Sequence, residues 1–94
     1  MMPAQSRAAR GLLKWNQDDL AREAAVSVVT VRNFENEKSS PQRATINVMR
    51  TALEAAGVEF IPENGGGAGV RLRKRVGPTN EGLPPQQLTS ENTD

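Results

Sequence analysis

Carboxylates, amides, hydroxyls, ammonium and guanidinium groups are the polar chemistry this sequence has to offer. Cys, His and Tyr are absent. No thiolate nucleophile, disulfide framework or Cys-ligated metal is possible, and the commonest general base and metal ligand is missing. These absences exclude Cys proteases, Ser–His–Asp hydrolases and the usual metalloenzymes, and no cofactor or metal is implied. Glu54, Glu59 and Glu63 fall on different elements, with no cleft implied to gather them. More informative are Arg32 and Asn33, adjacent in the run Gln17–Asn36, QDDLAREAAVSVVTVRNFEN. Arg can donate two hydrogen bonds to guanine O6 and N7, and Asn can pair with adenine N6 and N7. Such chemistry is recognition rather than catalysis, and it needs a rigid element to present both side chains.

That element is a helix. Ser27 is an N-cap for residues 28–36, with Val31 and Phe34 three apart on the inner face. This leaves Ser27, Val28, Val29, Arg32 and Asn33 at its start or on its outer face. Asn16 caps a preceding helix at 17–24, where Asp18 and Asp19 suit the positive end of the helix dipole. Leu20, Ala21 and Ala24 form its inner side. Small Ala21 lets the two helices cross closely, and Val26, Val31 and Phe34 cement the pair. The geometry is that of a DNA-reading helix-turn-helix.

Two further helices complete the first part. Residues 5–13 place Ala9, Leu12 and Leu13 near one face. Residues 43–56 carry Ile46, Met49, Leu53 and Ala56 as a stripe, with Gly57 as the stop. The segment around Ser39, Ser40 and Pro41 separates the third helix from the fourth. Beyond Gly57 the period becomes two. Val58–Ile61 and Val70–Arg73 alternate across a glycine-rich stretch, which predicts a β-hairpin. Two strands alone are marginal in water, so the hairpin must lie on the helices or add to a partner's strands.

Chain-wide numbers set the frame. Ninety-four residues make one small domain, with 36% hydrophobic and only 3% aromatic residues (Trp15, Phe34, Phe60). Net charge is +1, yet residues 76–94 hold Glu81, Glu91 and Asp94 and no Lys or Arg. The remaining chain therefore balances to +4, because all 12 basic residues lie in it. Rich in Pro, Gln, Asn and Thr, the tail is expected to be disordered. No signal-peptide core and no run of about 18 apolar residues appears. The expectation is a soluble, cytoplasmic protein with no membrane role.

The stretch WNQDDLAREAAVSVVTVRNFENEKSSP resembles the XRE family, the Cro/cI-type repressors with a lambda-repressor-like fold. The match runs from about Arg10 to Val58, and Gln17, Leu20, Ala21, Ala24, Val26, Ser27, Val31, Phe34 and Glu35 stand where that pattern expects them. LEAAGVEFIPENGGGAGVRLRK also looks like the ending of short bacterial members. One departure is Ala25, where the family usually has Gly. A left-handed residue there would cost about 1–2 kcal/mol, so either Ala25 carries that strain or the turn differs.

The expected organisation is a bundle of about four helices at 1–57, a hairpin at 58–75 as a possible dimerisation element by strand addition, and a tail at 76–94. The resemblance gives this mainly α chain a lambda-repressor-like fold. It implies that helix 28–36 enters the major groove of double-stranded DNA, with Ser27, Val28, Val29, Arg32 and Asn33 reading bases. The two valines would pack on thymine methyl groups; the plain alternative is a solvated helix face. Gln17, Thr30, Asn36, Lys38 and Arg43 would bind phosphate, or simply be solvated, and Arg43 could reach the minor groove. Thr30 could instead hydrogen-bond its own helix. Arg10 and Glu35 would form a structural ion pair, and Trp15 a partly buried core residue. The cluster Arg71, Arg73, Lys74 and Arg75 would solubilise a strand edge or touch DNA. The expected function is a sequence-specific transcriptional regulator, working as a homodimer on a two-fold site with half-sites one helical turn (~34 Å) apart. The alternative is a protein-interaction module of helix-turn-helix type, such as an antitoxin or anti-activator.

Overall fold

A computed structural model describes residues 1–74; the tail at 76–94, and Arg75 before it, lie outside the described residues. The chain forms four helices and a small antiparallel hairpin: α1 (Pro3–Leu13), α2 (Gln17–Ala24), α3 (Val28–Glu35), α4 (Arg43–Ala55), β1 (Val58–Ile61) and β2 (Gly69–Leu72). Among the described residues, no helix is long and apolar enough to cross a membrane.

The caps follow from the sequence. The Asn16 side chain accepts from the Asp19 backbone N–H at 2.8 Å, and the Asp19 carboxylate accepts in return from the Asn16 N–H at 2.9 Å. Two of the orphan donors at the start of α2 are thereby satisfied. Ser27 caps α3 with one such bond, its Oγ accepting from the Thr30 N–H at 3.0 Å. Pro3 occupies the first turn of α1, where its missing N–H costs nothing, so the helix begins two residues before the expected start. Helices α3 and α4 each end one residue earlier than expected. Gly57 follows α4 with φ +113°, a conformation open to glycine.

One small core joins the four helices and β1, with Val70 of β2 packed partly against it. Ala9 of α1, Leu20, Ala21 and Ala24 of α2, Val31 and Phe34 of α3, Met49 and Leu53 of α4, and Val58 and Phe60 of β1 are buried together. Trp15 and Val26 pack partly against them. Two expected core positions fail. Leu12 is exposed and Ala56 lies on the surface. The buried side of α1 is instead Ser6 and Ala9 with half-buried Arg10 and Leu13, a spacing of i, i+3, i+4 and i+7 that includes a hydroxyl and a charge.

The hairpin lies on the molecule's own helices, contacting α1 and α4. Val58 pairs with Leu72 and Ile61 with Gly69, so β2 starts and ends one residue before the expected strand. Gln5 of α1 donates to the Gly69 carbonyl at 3.1 Å, and the Arg50 guanidinium sits 4.8 Å over the Phe60 ring. Glu59 and Arg71 form a cross-strand ion pair at 3.0 Å.

Candidate nucleic-acid interface

Residues 25–27 connect α2 to α3 in a tight turn. Ala25 has φ +58° and ψ +43°, the left-handed conformation in which its N–H returns to the Ala21 and Arg22 carbonyls. The turn keeps the geometry that Gly would provide, and Ala25 carries the strain. Val26 then bonds back to the Ala21 carbonyl at 3.0 Å. Ala21 is only 6% exposed, where a larger side chain would separate α2 from α3.

Helix α3 has two distinct sides. Val31, Phe34 and Glu35 are buried. Outward stand Val29, 51% exposed, with Arg32 and Asn36 exposed and Asn33 half-buried. At spacings of three and four residues these lie on one face. Val28 departs from the expected outer position: it is half-buried and packs against the core, so α3 offers one free valine rather than two. One turn separates Val28 from Val31, which draws it to the inner side. Thr30 is tied to its own helix start, its hydroxyl 3.0 Å from that of Ser27.

A buried carboxylate holds this helix in place. Glu35 is 1% exposed. Arg10 Nη2 donates to its Oε1 at 2.7 Å and Arg10 Nε to its Oε2 at 2.9 Å, a two-pronged pair. Ser6 Oγ adds a hydrogen bond at 2.6 Å, and Gln17 Nε2 another at 3.1 Å. Burial pushes the Glu35 carboxyl up, but the hydrogen bonds from Arg10, Ser6 and Gln17 and the Arg10 charge outweigh it and hold the group below its ordinary value of 4.5. Arg10 also donates to the Trp15 carbonyl at 3.1 Å, fastening the connection that precedes α2.

Gln17, expected on phosphate, thus spends a side-chain donor inside the molecule. Its backbone N–H, at the first position of α2, is one of the donors with no partner inside the helix. Ser6 is the member of this network that sequence reasoning missed. Its place in the i, i+3, i+4, i+7 pattern with Ala9, Arg10 and Leu13 is the signal that could have found it.

Arg32, Lys38 and Arg43 are exposed and have no ion-pair partner among the described residues. The loop bearing Lys38 is wrapped around the end of α3, because the Lys38 and Ser39 N–H groups both donate to the Asn33 carbonyl. Arg43 opens α4 after that loop. By contrast Arg71 is paired with Glu59, and Arg73 donates to the Glu54 carbonyl at 2.7 Å, so both are engaged by the hairpin and α4. Among the described residues, no three His, Cys, Asp or Glu side chains are grouped to hold a metal ion. Neither models of known protein families nor curated proteins match this chain.

Proposed function

We propose that this chain is a sequence-specific DNA-binding transcriptional regulator of the XRE type, with a lambda-repressor-like fold. Helix α3 lies in the major groove; Arg32 and Asn33 read base edges, Val29 packs on a thymine methyl group, and Ser27 approaches from the helix start. Asn36, Lys38 and Arg43 hold the phosphate backbone, with the start of α2 at Gln17. The observation that carries this reading is the two-sided α3: an outer stripe of Val29, Arg32, Asn33 and Asn36 on a helix locked from behind by buried Glu35. A rigidly seated helix with planar donors on its free face suits base recognition.

One domain of this size reads few base pairs, so a dimer on a two-fold operator supplies the specificity. The hairpin supports this. Arg73 N–H donates to the Gly57 carbonyl at 2.7 Å, in line with the register, so Glu59, Ile61, Gly69 and Arg71 direct their backbone groups between the strands. Val70 and Leu72 therefore turn theirs to the open edge of β2, where Leu72 is 51% exposed. A second copy can add its β2 there.

The test is fluorescence anisotropy with a duplex selected from a random pool, measured at two salt concentrations beside a scrambled duplex. Tight binding to the selected duplex, falling steeply with salt, is expected. Equal binding to both duplexes removes the specific-regulator reading.

A further inference from the structure

We propose that Arg7 is a further DNA-contacting residue, its guanidinium shared between the last carbonyl of the recognition helix and a backbone phosphate. The inference rests on the DNA-binding reading and adds to it a residue of α1, an element that reading leaves behind the interface.

The last residues of any helix leave carbonyls without intrahelical partners. At the end of α3, the Asn36 N–H takes the Arg32 carbonyl, the Glu37 N–H the Phe34 carbonyl, and the Lys38 and Ser39 N–H groups the Asn33 carbonyl. The Glu35 carbonyl is reached from outside the helix, by Arg7 Nη1. A cation at this point also complements the negative end of the α3 dipole. Arg7 thus caps the recognition helix from α1, three residues before Arg10 seizes the Glu35 side chain.

A guanidinium has five N–H donors in a rigid fork, and one carbonyl uses few of them. Arg7 is exposed, and among the described residues no carboxylate comes within ion-pair distance of it. Arg22, Arg50 and Arg71 differ, facing Asp19, Glu54 and Glu59, whereas Arg7 is without a carboxylate partner among the described residues, as Arg32, Arg43 and Arg73 are. The uncompensated Arg7 charge stands at the residue before Asn36, beside the loop that carries Lys38. A planar fork held at one prong by a helix end presents its remaining donors with little rotamer freedom left to lose, and a phosphate is the anion that geometry fits bidentately.

Arg73 provides the internal control. It caps the Glu54 carbonyl near the end of α4 in the same manner, from the hairpin rather than beside α3. The experiment compares Arg7→Gln, Arg7→Lys and Arg73→Gln in the full chain. Affinity for the selected duplex is measured across a salt series, together with thermal unfolding of each variant. Loss of one phosphate contact in each protomer of the bound dimer should lower the slope of log affinity against log salt by about 1.8 in Arg7→Gln. Arg7→Lys should keep the slope and Arg73→Gln should match the parent. An Arg7→Gln variant that binds with the parent's slope, whatever its stability, overturns the proposal and leaves Arg7 a helix cap. If the parent shows no preference for any duplex, the DNA-binding reading itself fails, an outcome separate from the first.

Discussion

Gln17 Nε2 donates to Glu35 Oε1 at 3.1 Å, so the first residue of α2 is tied directly to the last residue of α3. Arg10 and Ser6 reach the same carboxylate from α1, which makes Glu35 the point where three helices are held in one arrangement. Because the folded molecule holds the Glu35 carboxyl below its ordinary 4.5, its stabilising contribution is complete above that value and disappears as pH falls through the lowered one. Glu35→Gln should lose about 3 kcal/mol at pH 7, since Arg10 is left facing a neutral amide in a buried site. Below pH 4.5 the parent should converge toward the variant. Urea unfolding of both proteins from pH 7 to pH 3 reads this directly; parallel curves would show that the carboxylate carries no such linkage.

Ala25 sits at φ +58° without the glycine that the position favours. Ala25→Gly relieves about 1–2 kcal/mol of steric cost but adds freedom to the unfolded chain, which returns about 0.4–1 kcal/mol. The expected balance is a gain of about 1 kcal/mol in unfolding free energy with DNA affinity unchanged. A variant less stable than the parent would mean that the methyl group of Ala25 makes a contact worth more than the strain.

Much of this fold is legible in the residues, and the reasons are local. Asn16 and Ser27 announce the starts of α2 and α3 because their side chains can satisfy only nearby N–H groups, and Gly57 marks where α4 must stop. The alternation after Val58 likewise sets β1. What the sequence hides is long-range. Nothing in Ser6 itself says that it meets Glu35 twenty-nine residues away, because a buried hydroxyl is chosen by its acceptor and not by its neighbours. Val28 reads as outer when judged by its place at the helix start, and only the packing of Val31 one turn later reveals that it leans inward. Gln17 poses the same difficulty in reverse: an exposed-looking amide is claimed by a carboxylate from another helix.

The two valines of α3 should therefore separate in their effects. Val28→Ala removes half-buried apolar surface and should cost about 1 kcal/mol of stability. Val29→Ala should stay within about 0.5 kcal/mol of the parent in stability, as exposed positions do. Its effect should appear in binding instead, as about a fivefold loss for one operator position occupied by thymine and little change elsewhere. Parallel denaturation and anisotropy measurements on both variants decide it. Equal, small effects of the two substitutions on DNA binding would take Val29 off the recognition face.

Leu72 tests the dimer. Its N–H points out of the hairpin, away from β1, so Leu72→Pro removes a donor from the open edge and none from the internal ladder. Arg73, the next residue, keeps its bond to Gly57. The hairpin should survive, with Phe60 still under Arg50. Strand addition by a second copy should not, because the outer edge then lacks a partner for one carbonyl in each protomer and carries a ring where the strands would approach. Two copies joined this way also set Arg71 near its counterpart, each charge already balanced by its own Glu59. The parent should sediment as a dimer at micromolar concentration and the variant as a monomer, with binding to the two-fold site lost and binding to an isolated half-site kept. A variant that sediments as the parent does would move the dimer contact away from β2.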